Sequence, residues 1–232
     1  MANPHAEVGV SRRSASAAAR RDPTLFVMAL GILVFTVSAF GLVLLQQPGR
    51  LTRYTPLVSV HGTLMVGWYI LFVVQSRLML DRKHRAHRFL GLCSIALVIA
   101  MVGTGVVVAA NFSQETGRRA TFIADIGILF NFVSLYAVSV WAVIRGHFEA
   151  HKRLMLIASL SMIGPALSRA LDVVAVSRMA ATVVYPLILV ALPLIYDRRT
   201  QGKLHKASFW AINFTLLIFI GQLAAFVLVG DG

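Results

Sequence analysis

Four of the chain's seven histidines stand where imidazole could do chemistry. His87, His151 and His205 each follow a short basic loop and open an apolar run: His87-Arg88-Phe89-Leu90-Gly91, His151-Lys152-Arg153-Leu154-Met155 and His205-Lys206-Ala207. If those runs are helices, the three rings stand at helix N-termini that could converge in a bundle. Neutral, they could ligate a metal or the iron of a b-type haem. Protonated, they could hold an anion against three helix dipoles. His147 and His151 are four apart, the spacing that puts two metal ligands on one helical face, with Glu149 between them. His84 and His87 are three apart. The competing reading is that these are interfacial residues of basic loops, in contact with lipid head groups.

The fourth histidine belongs to a second constellation. His61 lies about one turn into one apolar run, Asp125 about one turn into another, and Arg169 and Asp172 near the end of a third. Ionisable residues within a membrane span are costly, so they face the bundle interior and pair. Arg169 and Asp172 are three apart and can pair along one helix. His61 could hydrogen-bond Asp125. The functional readings are a quinone head-group site, a proton relay or a His/Asp metal site; the structural reading is an ion pair that fixes helix packing. His61, Met65, Trp68, Phe72 and Gln75 follow the three-four spacing and form one stripe. His151 and Arg169 are five turns apart on one face. Asn131 and Asn213 are expected to hydrogen-bond between helices.

The elements that must position these residues are membrane helices. The chain is 58% hydrophobic and only 13% charged, with a mean hydropathy of +0.77, whereas soluble domains are about a quarter charged. Seven apolar runs of spanning length are predicted: Pro23–Leu45, Pro56–Leu80, Phe89–Ala110, Thr121–Ile144, Leu154–Val176, Met179–Tyr196 and Ala207–Val229. Gly164-Pro165 predicts a kink in the fifth. Pro186 and Pro193 predict a kink or an irregular stretch in the sixth. The first, third, fifth and seventh of the basic segments carry 15 Lys and Arg, the opposite side 5 (Arg50, Arg53, Arg118, Arg119, Arg178), which puts the N-terminus inside and the C-terminus outside. The fold class is thus all-α, a polytopic bundle of seven transmembrane helices. Residues 1–22 are expected to be a disordered basic cytoplasmic tail, and 23–232 a single domain. A weak internal repeat suggests three hairpins preceded by one added helix.

Composition also excludes. The net charge of +13 sits in short clusters between apolar runs, the pattern of loops facing anionic lipid, and no nucleic-acid recognition motif accompanies it. The single cysteine, Cys93, rules out a disulfide framework. No span carries the central lysine that a retinal Schiff base needs. Gly-rich phosphate loops, GxSxG, CxxC, HExxH and EF-hand patterns are absent from the sequence.

The His61–Gly91 segment, HKRLMLIASLSMIGPALSR (His151–Arg169) and YDRRTQGKLHKASFW (Tyr196–Trp210) resemble a family of small bacterial multi-pass membrane proteins. That resemblance covers the second to seventh helices. It implies a bacterial inner-membrane location and recurring histidines matching His61, His87, His151 and His205, and it implies no activity. His61-Gly62-Thr63-Leu64-Met65 with Trp68 is similar to the start of transmembrane di-haem b-type cytochromes, in which helix histidines pair across a bundle. The likeness implies haem ligation, although the half of the chain's spans that holds His61 has no second histidine.

Three functions follow as expectations. The first is a redox membrane protein binding haem b or quinone, with His87, His151 and His205 as ligands and His61 and Asp125 as a quinone or proton site. The second is a zinc-dependent membrane hydrolase acting on lipid, by analogy with ceramidase-like seven-helix enzymes, in which a metal activates water. The third is a non-catalytic accessory subunit whose partners are membrane lipids and other membrane subunits.

Overall fold

The computed structural model describes residues 22–177 and 179–230. The tail 1–21, and Arg178 of the charge count, lie outside the described residues. The chain is all-α: α1 Thr24–Gln46, a short 3-10 turn Pro48–Arg53, α2 Pro56–Leu80, α3 His84–Thr116, α4 Arg119–Ile144, α5 Phe148–Ser161, α6 Gly164–Val173, α7 Ala180–Gln201 and α8 Lys206–Leu228. Among the described residues, six helices (α1 to α4, α7 and α8) are long and apolar enough to cross a membrane. Large apolar side chains such as Val34, Ile99, Phe130, Leu187 and Leu217 lie exposed along them. An apolar exterior of this extent needs lipid rather than water around it, so this is the architecture of a multi-pass membrane protein.

The two remaining helices form one broken rod. α5 and α6 meet at a 46° bend, where a kink is predicted. Pro165 has no N–H to give the Ser161 carbonyl one turn back. The Tyr185 hydroxyl of α7 donates to that carbonyl instead, at 3.2 Å, so the acceptor that Pro165 leaves is partnered. Of the other proline expectation, the irregular stretch is not found. Helix α7 runs from Ala180 to Gln201 through both Pro186 and Pro193 without interruption.

Helix α5 is the centre of the bundle and touches α1, α4, α7 and α8. Leu156, Ile157, Ala158, Ser159 and Leu160 are fully buried within it. Helix α3 is longer than the predicted span at both ends. Hydropathy marks only the stretch that lipid must cover, while 33 residues of helix reach about 50 Å, past a hydrocarbon core of about 30 Å. His87 and His151 therefore stand inside helices, each the fourth residue of its own (α3 from His84, α5 from Phe148).

Candidate functional site

The turns between α2 and α3 and between α4 and α5 are copies of one another, 64 residues apart. Arg82 (φ 58°) and Gly146 (φ 78°) take the left-handed position. Lys83 and His147 follow with φ/ψ of −82°/60° and −86°/63°. The Lys83 amide donates to the Leu78 carbonyl at 2.9 Å, and the His147 amide to the Ala142 carbonyl at 2.8 Å. Two turns built alike must aim the helices that follow them alike.

The result is one side-chain device made twice. His87 gives its Nδ1–H to the Gln75 carbonyl at 3.3 Å, and the Gln75 side-chain amide donates to the His87 carbonyl at 3.1 Å. His151 gives its Nδ1–H to the Ser139 carbonyl at 3.0 Å, and the Ser139 hydroxyl donates to the His151 carbonyl at 3.1 Å. A carbonyl can only accept, so both imidazoles carry a proton on Nδ1, and in the neutral ring each Nε2 presents a lone pair; the Ser139 hydroxyl also lies 2.9 Å from His151 Nδ1. Fixing the tautomer through the far nitrogen is what outer partners do for a ligating histidine.

The two devices face each other. The His87 and His151 ring centres are 6.4 Å apart with their planes at 88°. Deeper in the bundle the equivalent pair Trp68 and Phe132 also meet, at 4.9 Å. Residues 64 apart in both hairpins thus touch their own counterparts, as an approximate two-fold axis between the hairpins requires. Tyr136 continues the aromatic cluster, its hydroxyl 2.7 Å from the Ser94 hydroxyl.

His205 does not join them. It caps α8, its Nδ1 accepting the Ala207 amide at 3.0 Å, which is the opposite tautomer. Burial, and then the Arg153 guanidinium, lower its imidazole below the usual histidine range, in keeping with a neutral acceptor. Its own amide donates to Asp197 Oδ2 at 2.9 Å. That carboxylate was not legible as a site residue. Asp197 and Arg153 form an ion pair, Nε to Oδ1 at 2.6 Å, with both side chains fully buried. Arg153 Nη1 also reaches Glu149 at 2.6 Å, and Nη2 the Thr200 hydroxyl at 3.2 Å. The histidine text is repeated three times, but only two copies share a structure.

His147 is the exposed N-cap of α5 and lies outside its helical turns, while His151 turns to Ser139 and His87. Their four-residue spacing therefore does not make a face. Among the described residues no group of three or more His, Cys, Asp and Glu side chains could hold a metal ion.

At the opposite end of the bundle the predicted His61–Asp125 hydrogen bond is not made. The His61 Nδ1 lies 3.1 Å from the Thr104 hydroxyl, and its ring packs on Gly105, where a Cβ would come within 3.0 Å of it. Arg169 is the charged group that acts on Asp125. The Arg169 guanidinium stacks on the Phe40 ring at 4.3 Å and donates to the Pro165 carbonyl at 2.8 Å. Asp172 lies in the closing turn of α6, its carbonyl accepting the Ala175 amide at 3.2 Å. Asn131 accepts from Thr215 of α8 at 3.3 Å, as an interhelical partner. Asn213 instead donates back to Phe209 of its own helix.

No family model, curated protein or solved structure matches this chain.

Proposed function

We propose that the chain is an electron-transfer protein of the bacterial inner membrane that holds one b-type haem between His87 and His151. The observation that carries this reading is the pair itself: two imidazoles, each anchored through Nδ1 on a backbone carbonyl, with ring centres 6.4 Å apart. Metal–imidazole bonds are about 2 Å, and a ring nitrogen lies roughly 1.1 Å from its ring centre, so two ligands across one metal have centres about 6.3 Å apart. His87 and His151 would be the two protein ligands of such a group. A porphyrin supplies four nitrogens and asks the protein for two, which this site has. Tetrahedral zinc asks for three or four, so the donor set favours haem over the hydrolase. When bound, haem supplies a one-electron ferric/ferrous couple. The chain's own part is to hold both imidazoles neutral and aimed.

In this reading the broken rod of α5 and α6 is the seventh span. The 15-to-5 bias of basic residues supports an N-terminus and a histidine pair on the cytoplasmic side.

The test is an absorption spectrum with metal analysis on gently solubilised protein. A Soret band that shifts on reduction, with one iron per chain, is expected. His87→Ala and His151→Ala should each abolish it. A colourless protein from haem-replete cells, or a band that survives both substitutions, would sink the proposal.

A further inference from the structure

A second recess lies away from the histidine pair. It lies on the other side of α2, at the same basic end, as an open groove of about 410 Å³ between α1, α2, α5 and α7. That is within the size range of small-molecule sites. One wall is apolar, with Leu25 and Phe26 of α1 and Met79 of α2. The other is polar and rigid. Glu149 there accepts from Lys152 at 2.5 Å and from Gln201 at 3.4 Å, and the fully paired Arg153 lies behind it.

Tyr196 points to a ligand. Only 3% of it is exposed, yet it lines the groove, and its ring is held under the Arg153 guanidinium at 5.2 Å. No hydrogen bond from the described residues reaches its hydroxyl, which is not among the enclosed polar atoms left without a partner. It therefore opens to the groove, where it can donate to a molecule that enters.

Charge selects the class. The groove is lined by two carboxylates, Asp22 and Glu149, and two cations, Arg82 and Lys152. An anionic head group would meet both carboxylates, whereas a neutral one meets no net field. Lys152 and Gln201 each spend one donor on Glu149 and keep others. Carbonyl oxygens could take those donors and the Tyr196 hydroxyl, and hydroxyls could donate to the carboxylates. A molecule that is neutral, changes between carbonyl and hydroxyl, and carries an apolar tail is a quinone.

We propose that this groove binds a lipid-soluble quinone, with a ring carbonyl on the Tyr196 hydroxyl and the tail along Leu25, Phe26 and Met79. Choosing a quinone over another neutral amphiphile rests on the redox reading of the histidine pair. Ser76 lines the groove, and its chain neighbour Gln75 anchors His87, so the two sites share one turn of α2.

The experiment measures decylubiquinone binding to the solubilised full chain, together with photolabelling by an azidoquinone. Label is expected in peptides containing Leu25 and Phe26 or Tyr196 to Gln201. Tyr196→Phe removes one hydrogen bond and keeps the ring, so it should weaken binding about 2–10-fold. Leu25→Trp should fill the groove and abolish binding. Both variants should keep the elution profile and any Soret band of the parent. Unchanged affinity in both variants, or label confined to other peptides, overturns the proposal even if haem is present. Quinone binding lost in Leu25→Trp from a protein without haem would leave the groove standing and remove the redox reading instead.

Discussion

The two ends of the paired hairpins obey different rules. At the basic end, positions 64 apart keep the same conformation and the same chemistry: Arg82 and Gly146 in the turn, Gln75 and Ser139 as anchors, His87 and His151 as the product. At the opposite end the same spacing pairs His61 with Asp125, Thr104 with Ser168 and Gly105 with Arg169. There each residue has its own partner, His61 the Thr104 hydroxyl and Arg169 the Phe40 ring. A ligand on a two-fold axis needs equal donors from both sides. Packing needs only that each polar group be satisfied, and many different pairs can do that. On the proposed reading the equal end is the site, and the unequal end is scaffold.

The largest effect expected from this contrast is in haem content. His87→Ala or His151→Ala should empty the site, whereas His61→Ala, Asp125→Ala and His205→Ala should each retain a full Soret band. Loss of haem in the His61 variant with a normal elution profile would mean that the opposite end is a site as well.

The second effect is in stability and belongs to the hairpin that broke the repeat. Asp197→Ala leaves the Arg153 guanidinium buried without its one fully buried carboxylate partner, which costs about 3–5 kcal/mol. Arg153→Met with Asp197→Leu should recover most of it, because removing both charges also removes their desolvation. Thermal unfolding in detergent reads both. If the double variant is as unstable as the single one, the pair holds more than its own helices together.

The third tests whether the two anchors are equivalent. Gln75→Leu and Ser139→Ala each delete the side-chain hydrogen bond to the histidine's own carbonyl, Ser139→Ala also the hydroxyl contact to His151 Nδ1, and both leave the Nδ1–H on its carbonyl. Outer partners of this kind are worth about 10–100-fold in affinity, and the surviving carbonyl bond puts both variants near the low end, at roughly 10-fold. Haem titration of apoprotein should give similar losses. A tenfold disparity between them would mean that one histidine carries the site.

Much of the fold was legible because lipid imposes it. A run of about 20 apolar residues has few alternatives to a spanning helix, and six of the seven expected runs are continuous helices. The kink at Gly164-Pro165 was legible for a local reason, the missing N–H. Pro186 and Pro193 carry the same local signal, yet α7 runs on. The site was half legible. His87, His151 and His205 look alike in the sequence because each follows a basic loop. What separates them is loop length: His87 is five residues after the left-handed Arg82 and His151 five after Gly146, but His205 is three after Gly202. That offset places two histidines inside their helices and leaves the third as a cap. Arg153 and Asp197 were hidden because each reads as part of a basic or polar loop. Only the crossing of α5 and α7 shows that they are buried.

The smallest effect is the sharpest test of the repeat, because it predicts opposite signs at equivalent places. Arg82 and Gly146 occupy the same left-handed turn position. For a residue with a Cβ that conformation costs roughly 1–2 kcal/mol, and glycine escapes it. Arg82→Gly should therefore stabilise the protein by about 1 kcal/mol, partly offset by glycine's larger unfolded-state entropy. Gly146→Ala should destabilise it by a similar amount. Both are read as shifts in the thermal midpoint of the detergent-solubilised protein. If the two turns are the same device, exchanging their residues moves stability in opposite directions and leaves the haem spectrum unchanged. Shifts of the same sign would show that the turns are held by their surroundings and not by the backbone geometry that they share.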